Sequence, residues 1–239
     1  MDAADGGLSG GATAAATPLP PALPRDASKL LSAGEREFRA KKVDVSVRLL
    51  GEALAATLPG DVALKVKILY ARHKSFVSLA RLPAAIADLT AVLELDPLHV
   101  LALLMRANLR LIGGRCADAV ADYRRVLAVD ASKRDALARL PHAEECVRAL
   151  ERAEFGAKHG QYNVVRQALT EAMQEGRATQ APALLLARAE AAMTLGGEGD
   201  LEEALADLAK VIKTDGTNVK AYSTRGRALM LHGDFPTGA

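Results

Sequence analysis

Pairs of residues about a dozen apart recur along this chain with a basic step of 34, and that period limits the folds open to it. Gly34, His73, Ala107, Ala153, Ala189 and Gly226 precede Ser46, Ala85, Ala119, Val165, Ala204 and Ala239 in this way. Small residues at both points allow two helices to cross closely, where a larger side chain would push their axes apart. Apolar pairs late in each second helix keep the same step. Leu50/Ala53, Leu89/Val92, Tyr123/Val126, Leu169/Ala172 and Leu208/Val211 are all i, i+3 pairs that turn one helix face toward its partner. The expected fold class is all-α, a right-handed superhelix (α-solenoid) of about five and a half helix-turn-helix repeats.

Departures from the step are read as insertions. Five residues are added around Leu58, Pro59 and Gly60, twelve between Ala131 and about Glu145, and three at Gly197, Glu198 and Gly199. All are expected at turns, where a solenoid tolerates them. The organisation that follows is a disordered Ala/Gly/Pro-rich tail (1–26), repeats one to three (27–131), a linking helical extension (132–145) and repeats four to six (146–239), the last incomplete.

Composition is consistent with this reading. Half of the 239 residues are hydrophobic but 3% are aromatic, with no Trp, so the core rests on close helix contacts and not on large rings. A net charge of +2 with interleaved signs gives no basic stripe for nucleic acid. Arg106 and Arg110 interrupt the most apolar segment, Val100 to Ile112, so no membrane span is expected. Met1 to Pro24 has neither the basic start and apolar run of a secretory signal nor, with Asp2 and Asp5, the character of a transit peptide. Cys116 and Cys146 lack C-x-x-C spacing and read as separate core residues in a reducing compartment, with no disulfide framework.

No catalytic constellation emerges, and no enzyme activity, metal or cofactor is implied. His142, Glu145 and Cys146 supply too few ligands for a metal site and read as a helix surface. Gly196, Gly197 and Gly199 follow a helix and lack the Lys-Ser/Thr ending of a phosphate loop, so they read as a lengthened turn. His73, His99, His159 and His232 read as isolated.

The repeat pattern resembles the tetratricopeptide repeat (TPR). Within that class, AAIADLTAVLELDP from Ala84, ARAEAAMTLG (Ala187 to Gly196) and TNVKAYSTRGRAL (Thr217 to Leu229) are similar to the TPR region of J-domain co-chaperones. The relevant members are the endoplasmic-reticulum kinase-inhibitor type and its cytosolic relative. The likeness runs from about Ser28 to Ala239, and its motifs are shared by many TPR proteins. It implies a module that binds unfolded or extended polypeptide and delivers it to Hsp70 through a J domain. No His-Pro-Asp triplet of a J domain occurs in the sequence. The sixth repeat ends at Ala239 before its second helix, so a fragment of a longer protein is expected, with the apolar side of Ala228, Leu229 and Leu231 exposed. The implied location is cytoplasmic, or the endoplasmic-reticulum lumen if the start codon is misassigned.

The resemblance suggests two uses for the face lined by first helices. A carboxylate clamp for Hsp70 or Hsp90 tails needs Lys, Asn and Arg donors, but those positions hold Leu31, Glu35, Ala71, Leu101 and Met105, and the later repeats offer only Lys220. Charge argues against tail capture. The alternative is an apolar polypeptide-binding groove of Phe38, Tyr70, Val77, Leu101, Leu104, Met105 and Leu111, in which Met105 and the leucines adapt to varied side chains. Phe38, Val77 and Leu111 are equally open to a purely packing role. A generic TPR scaffold in a defined complex is the competing function.

Overall fold

The computed structural model describes residues 26–233, which form eleven α-helices and, among the described residues, no strand. In chain order they are α1 (Ala27–Arg39), α2 (Val43–Ala56), α3 (Val62–Ser78), α4 (Leu82–Leu95), α5 (Val100–Ile112), α6 (Cys116–Val129), α7 (Arg134–Lys158), α8 (Tyr162–Glu175), α9 (Pro182–Leu195), α10 (Glu198–Thr214) and α11 (Val219–His232). Each helix packs chiefly on its neighbours in the chain, as in a solenoid whose core is assembled one repeat at a time. Successive pairs α1/α2 to α9/α10 are five hairpins, and α11 is the first helix of the sixth. The tail at 1–25 and the expected start of a further helix at 234–239, with Ala239, lie outside the described residues.

The helices start and stop for local reasons. Asp26 accepts hydrogen bonds from the Ser28 and Lys29 amides, Asp61 from Leu64, and Asn218 from Ala221, each filling orphan donors of a first turn. Inside the first four hairpins the residue before the N-cap of the second helix is left-handed: Lys41, Ala80, Gly114 and Gly160. At Gly114 the turn also brings Leu184 to 3.0 Å of where a Cβ would sit, so glycine meets a conformational and a steric need together.

The five apolar i, i+3 pairs of the second helices are buried. The first five small-residue crossings are equally closed, and a Cβ on Gly34 would lie 2.7 Å from Leu50 Cγ. His73 and Val165, the larger members of that series, are accommodated and buried.

Four sequence expectations change. The twelve-residue insertion does not lie in a turn: the linking extension expected at 132–145 is helical and runs without a break into the first helix of the fourth repeat, as the 25-residue α7. Glu198 and Gly199 likewise lengthen α10 at its start, and the turn proper is Gly196 and Gly197. Cys116 and Cys146 are joined in a disulfide with Cα atoms 5.9 Å apart, both buried, because α7 crosses the start of α6. Ala228 is buried, since it faces back toward the preceding hairpin; Leu229 is half-buried and Leu231 exposed.

The core has three parts. A small cluster of Leu50, Ala53 and Ile68 joins repeats one and two. A large one extends from Leu69 to Ala149 and takes in Ala172, and another runs from Ala153 to Ala228. α7 carries residues of both large clusters, with Leu150 packed against each. Among the described residues no helix is long and apolar enough to cross a membrane.

Candidate functional site

The first-helix face of repeats one to three is where the sequence places a polypeptide-binding groove. On α3, Tyr70, Lys74 and Val77 follow one another at i, i+4 and i+7, so they share a stripe. Leu101 and Met105 stand in the same relation on α5. The Tyr70 ring is tilted against His73 at 4.6 Å and against His99 at 5.3 Å, with Lys74 Nζ 5.0 Å from its centroid. Burial raises the Tyr70 phenol above its ordinary pKa, and burial, aided by the Lys74 charge, lowers His73 to about 4. His99 also caps α5, its Nδ1 accepting from the Ala102 amide at 3.1 Å. His73 and His99 are therefore not isolated: together they fix the orientation of the one aromatic residue on this stripe.

Five of the seven expected groove residues have accessible surface. Leu101 is 45% and Val77 39% exposed, while Phe38, Tyr70 and Met105 are half-buried. Phe38 lines a cavity of about 250 Å³ with Glu35, Arg39, Ala71 and Lys74. Leu104 and Leu111 are 1% and 2% exposed and belong to the large core cluster, so they offer no surface to a ligand. The reason is α7. Its first half places Ala136 and Ala143 in that same cluster, and with α5 it encloses a polar cavity lined by Leu111, Asp135, Arg139 and His142.

The clamp positions hold no convergent donors. Glu35 pairs with Arg39 at 3.6 Å, and Lys220 is engaged by Glu190 at 2.9 Å. His142, Glu145 and Cys146 are directed apart: His142 Nδ1 lies 2.8 Å from Glu175, Glu145 accepts from Arg148 and Arg152, and Cys146 is in the disulfide. His159 stacks on Phe155 at 4.1 Å.

A set of charges that sequence reading missed lies behind the groove. Arg72, Arg106 and Arg188 occupy one register position on α3, α5 and α9, one residue before His73, Ala107 and Ala189. Each grips both carboxylate oxygens of an aspartate on the covering helix: Arg72 to Asp88 at 2.9 and 2.6 Å, Arg106 to Asp122 at 2.9 and 2.8 Å, Arg188 to Asp207 at 2.7 and 2.8 Å. Hydrogen bonds to these aspartates hold Arg72 and Arg188 above the ordinary guanidinium pKa. Arg106 and Arg188 also donate to Thr90 and Thr170 on the preceding repeat, at 3.1 and 2.9 Å. The signal was present as an Arg-to-Asp spacing of 16, twice, which becomes 19 where three residues are inserted.

No family model and no curated protein sequence matches the chain. Among solved structures, the chain is similar to the P58(IPK) TPR domain with a TM-score of 0.70 and 23% identity over 87% of its own length. It spans 56% of that chain, a little over half. A tetratricopeptide repeat protein from Parabacteroides merdae aligns over 89% of this chain and 75% of its own, with 21% identity and a TM-score of 0.45. The first TPR of Spaghetti (RPAP3), bound to an HSP90 peptide, aligns over 52% of this chain and 94% of its own, with 20% identity and a TM-score of 0.46. With its helix hairpins, its closed small-residue crossings and its fit to the first of these structures, the chain has the tetratricopeptide-repeat fold.

Proposed function

We propose that the chain is a protein–protein interaction module that holds extended or unfolded polypeptide against the first-helix face of repeats one to three, for an Hsp70 chaperone system and as part of a J-domain co-chaperone. The observation that carries the reading is the accessible strip of Tyr70, Val77, Leu101 and Met105, with Phe38 at its edge. An adaptable apolar strip suits varied side chains better than one fixed motif. Glu35, without a convergent set of cations, speaks against an acidic tail as the ligand.

The test is fluorescence anisotropy with a permanently unfolded, carboxymethylated protein as probe. Leu101→Asp with Met105→Asp should weaken binding by about tenfold or more while leaving thermal unfolding within a few degrees of the parent, since Leu101 is exposed and Met105 half-buried. Leu104→Ala should do the reverse, lowering stability by about 2–5 kcal/mol with binding retained below the unfolding transition. Unchanged binding by the double variant would overturn the groove. A groove that takes one defined peptide and rejects unfolded protein would favour the scaffold reading. The co-chaperone assignment is tested separately, by sequencing the full-length transcript for a His-Pro-Asp helical hairpin.

A further inference from the structure

Charge is unevenly distributed on the first helices of repeats two and three. α3 and α5 carry Lys65, Lys67, Arg72, Lys74, Arg106 and Arg110 and no aspartate or glutamate. The three arginines are committed to Asp88 and Asp122, buried carboxylates of the covering helices. The lysines are not. Lys67 makes no hydrogen bond or ion pair among the described residues, and Lys74 has no carboxylate partner there, its Nζ lying 5.0 Å from the centroid of the Tyr70 ring. Lys67, Tyr70, Lys74 and Val77 follow one another at i, i+3, i+7 and i+10 and share one stripe, whereas Lys65 stands on the other side of α3. Tyr70 in turn reaches His99, two residues before Leu101 at the start of α5, so the two lysines flank the place where the apolar strip passes from one repeat to the next. The carboxylates on the adjoining first helices stand beside cations of their own: Glu35 is paired with Arg39, and Asp135 shares its cavity with Arg139.

We propose that the groove of repeats one to three selects extended segments in which aspartate or glutamate side chains interrupt apolar ones, the carboxylates meeting Lys67 and Lys74 while the apolar side chains lie on Tyr70, Leu101 and Met105. This rests on the reading of that face as the polypeptide-binding surface. A chain laid over Tyr70 takes water from the ammonium groups on either side of it. A neutral segment leaves them without a compensating charge, a basic one adds repulsion, and an acidic one supplies the partner that α3 and α5 lack. The lysines are two turns apart, about 10 Å along the helix, and do not converge on one terminal carboxylate. The selection is therefore a bias of charge within an extended segment, with no fixed motif.

The probes are three rhodamine-labelled peptides with one apolar framework, Leu-X-Phe-X-Leu between glycines, in which X is aspartate, asparagine or lysine, each titrated into the full chain. Affinity is expected to fall in that order, with aspartate ahead of asparagine by about three- to tenfold, as two partly exposed ion pairs give. The preference should shrink as ionic strength rises from about 0.05 to about 0.5 M. Lys67→Gln with Lys74→Gln should make the aspartate and asparagine peptides bind alike, and since both lysines are exposed the variant should unfold close to the parent temperature. Lys65→Gln removes the same kind of charge from the other side of α3 and should keep the preference. Equal binding of aspartate and asparagine peptides by the parent would overturn the proposal and leave the apolar groove standing, whereas failure of all three peptides would remove both. A preference that survives the double variant, or that Lys65→Gln abolishes as well, would place the selection elsewhere than on this stripe and overturn it. So would a chain that dimerises in sedimentation through this face and excludes the peptides, because the occupant would then be a second copy.

Discussion

Gly34 and Gly226 hold the same register position in opposite surroundings, which makes them a controlled pair. In a helix interior glycine is worse than alanine by about 0.5–1 kcal/mol, from backbone entropy alone. Gly226 has space for a methyl group, so Gly226→Ala should stabilise by about that amount. At Gly34 the new carbon would meet Leu50 side-chain atoms at 2.7 and 2.8 Å, and Leu50 is itself buried. Gly34→Ala should therefore destabilise by about 1–2 kcal/mol, as overpacking does. Urea unfolding of the two variants gives opposite signs if close crossing, and not helix propensity, sets the register. His73 supplies a second test. Its folded pKa of about 4 lies below the unfolded value of about 6.5, so its contribution is complete above pH 6.5 and is lost as pH falls toward 4. Between pH 7 and pH 5 this amounts to about 2 kcal/mol. His73→Ala, which places there the residue found at Ala107 and Ala189, should cost stability at pH 7 yet lose less on acidification. Parallel pH profiles for parent and variant would show that His73 does not titrate between these states.

At the scale of the element, the hairpin seam is set by a buried charge as much as by small residues. Asp122 accepts from Arg106 and, at 2.6 Å, from Arg110. Asp122→Asn would leave two guanidinium groups facing a neutral amide in a closed site, and a loss of about 3–5 kcal/mol is expected. Asp118→Asn, which breaks the exposed pair with Arg115, should cost under about 1 kcal/mol and serves as the control. The same contrast explains what could be seen beforehand. Small residues and i, i+3 apolar pairs repeat with the helix period, so the hairpins were legible from the chain. The Arg–Asp seam was legible in principle, but a charge at helical spacing is ordinarily a solvated face, and only burial separates the two. Leu104 and Leu111 were misplaced for another reason. Leu104 is closed within the large cluster, and Leu111 lies beside α7; the sequence announced a helical extension at 132–145, but nothing local to α5 states that it runs past the end of that helix.

On the scale of the whole molecule, α7 decides how the two halves communicate. A solenoid is stabilised by neighbour-to-neighbour terms, so a local change should stay local unless a rigid element carries it. α7 spans both large clusters, and the Cys116–Cys146 disulfide pins its middle to the start of α6. The bond closes a loop of sequence separation 30, for which chain entropy gives about 3–4 kcal/mol relative to the reduced, unfolded chain. Reduction, or Cys116→Ser with Cys146→Ser, should lower the unfolding free energy by up to that amount. Hydrogen exchange followed by mass spectrometry then locates the effect. Amides of α6, α7 and the adjoining α8 should exchange faster with reductant, while α1, α2 and α11 should keep their rates. If the outer helices speed up equally, α7 couples the array into one cooperative unit and repeat-wise additivity fails for this chain. If no amide responds, the seam is held by Ala119, Ala143, Ala149 and their neighbours, and the bond is only an addition to packing already sufficient.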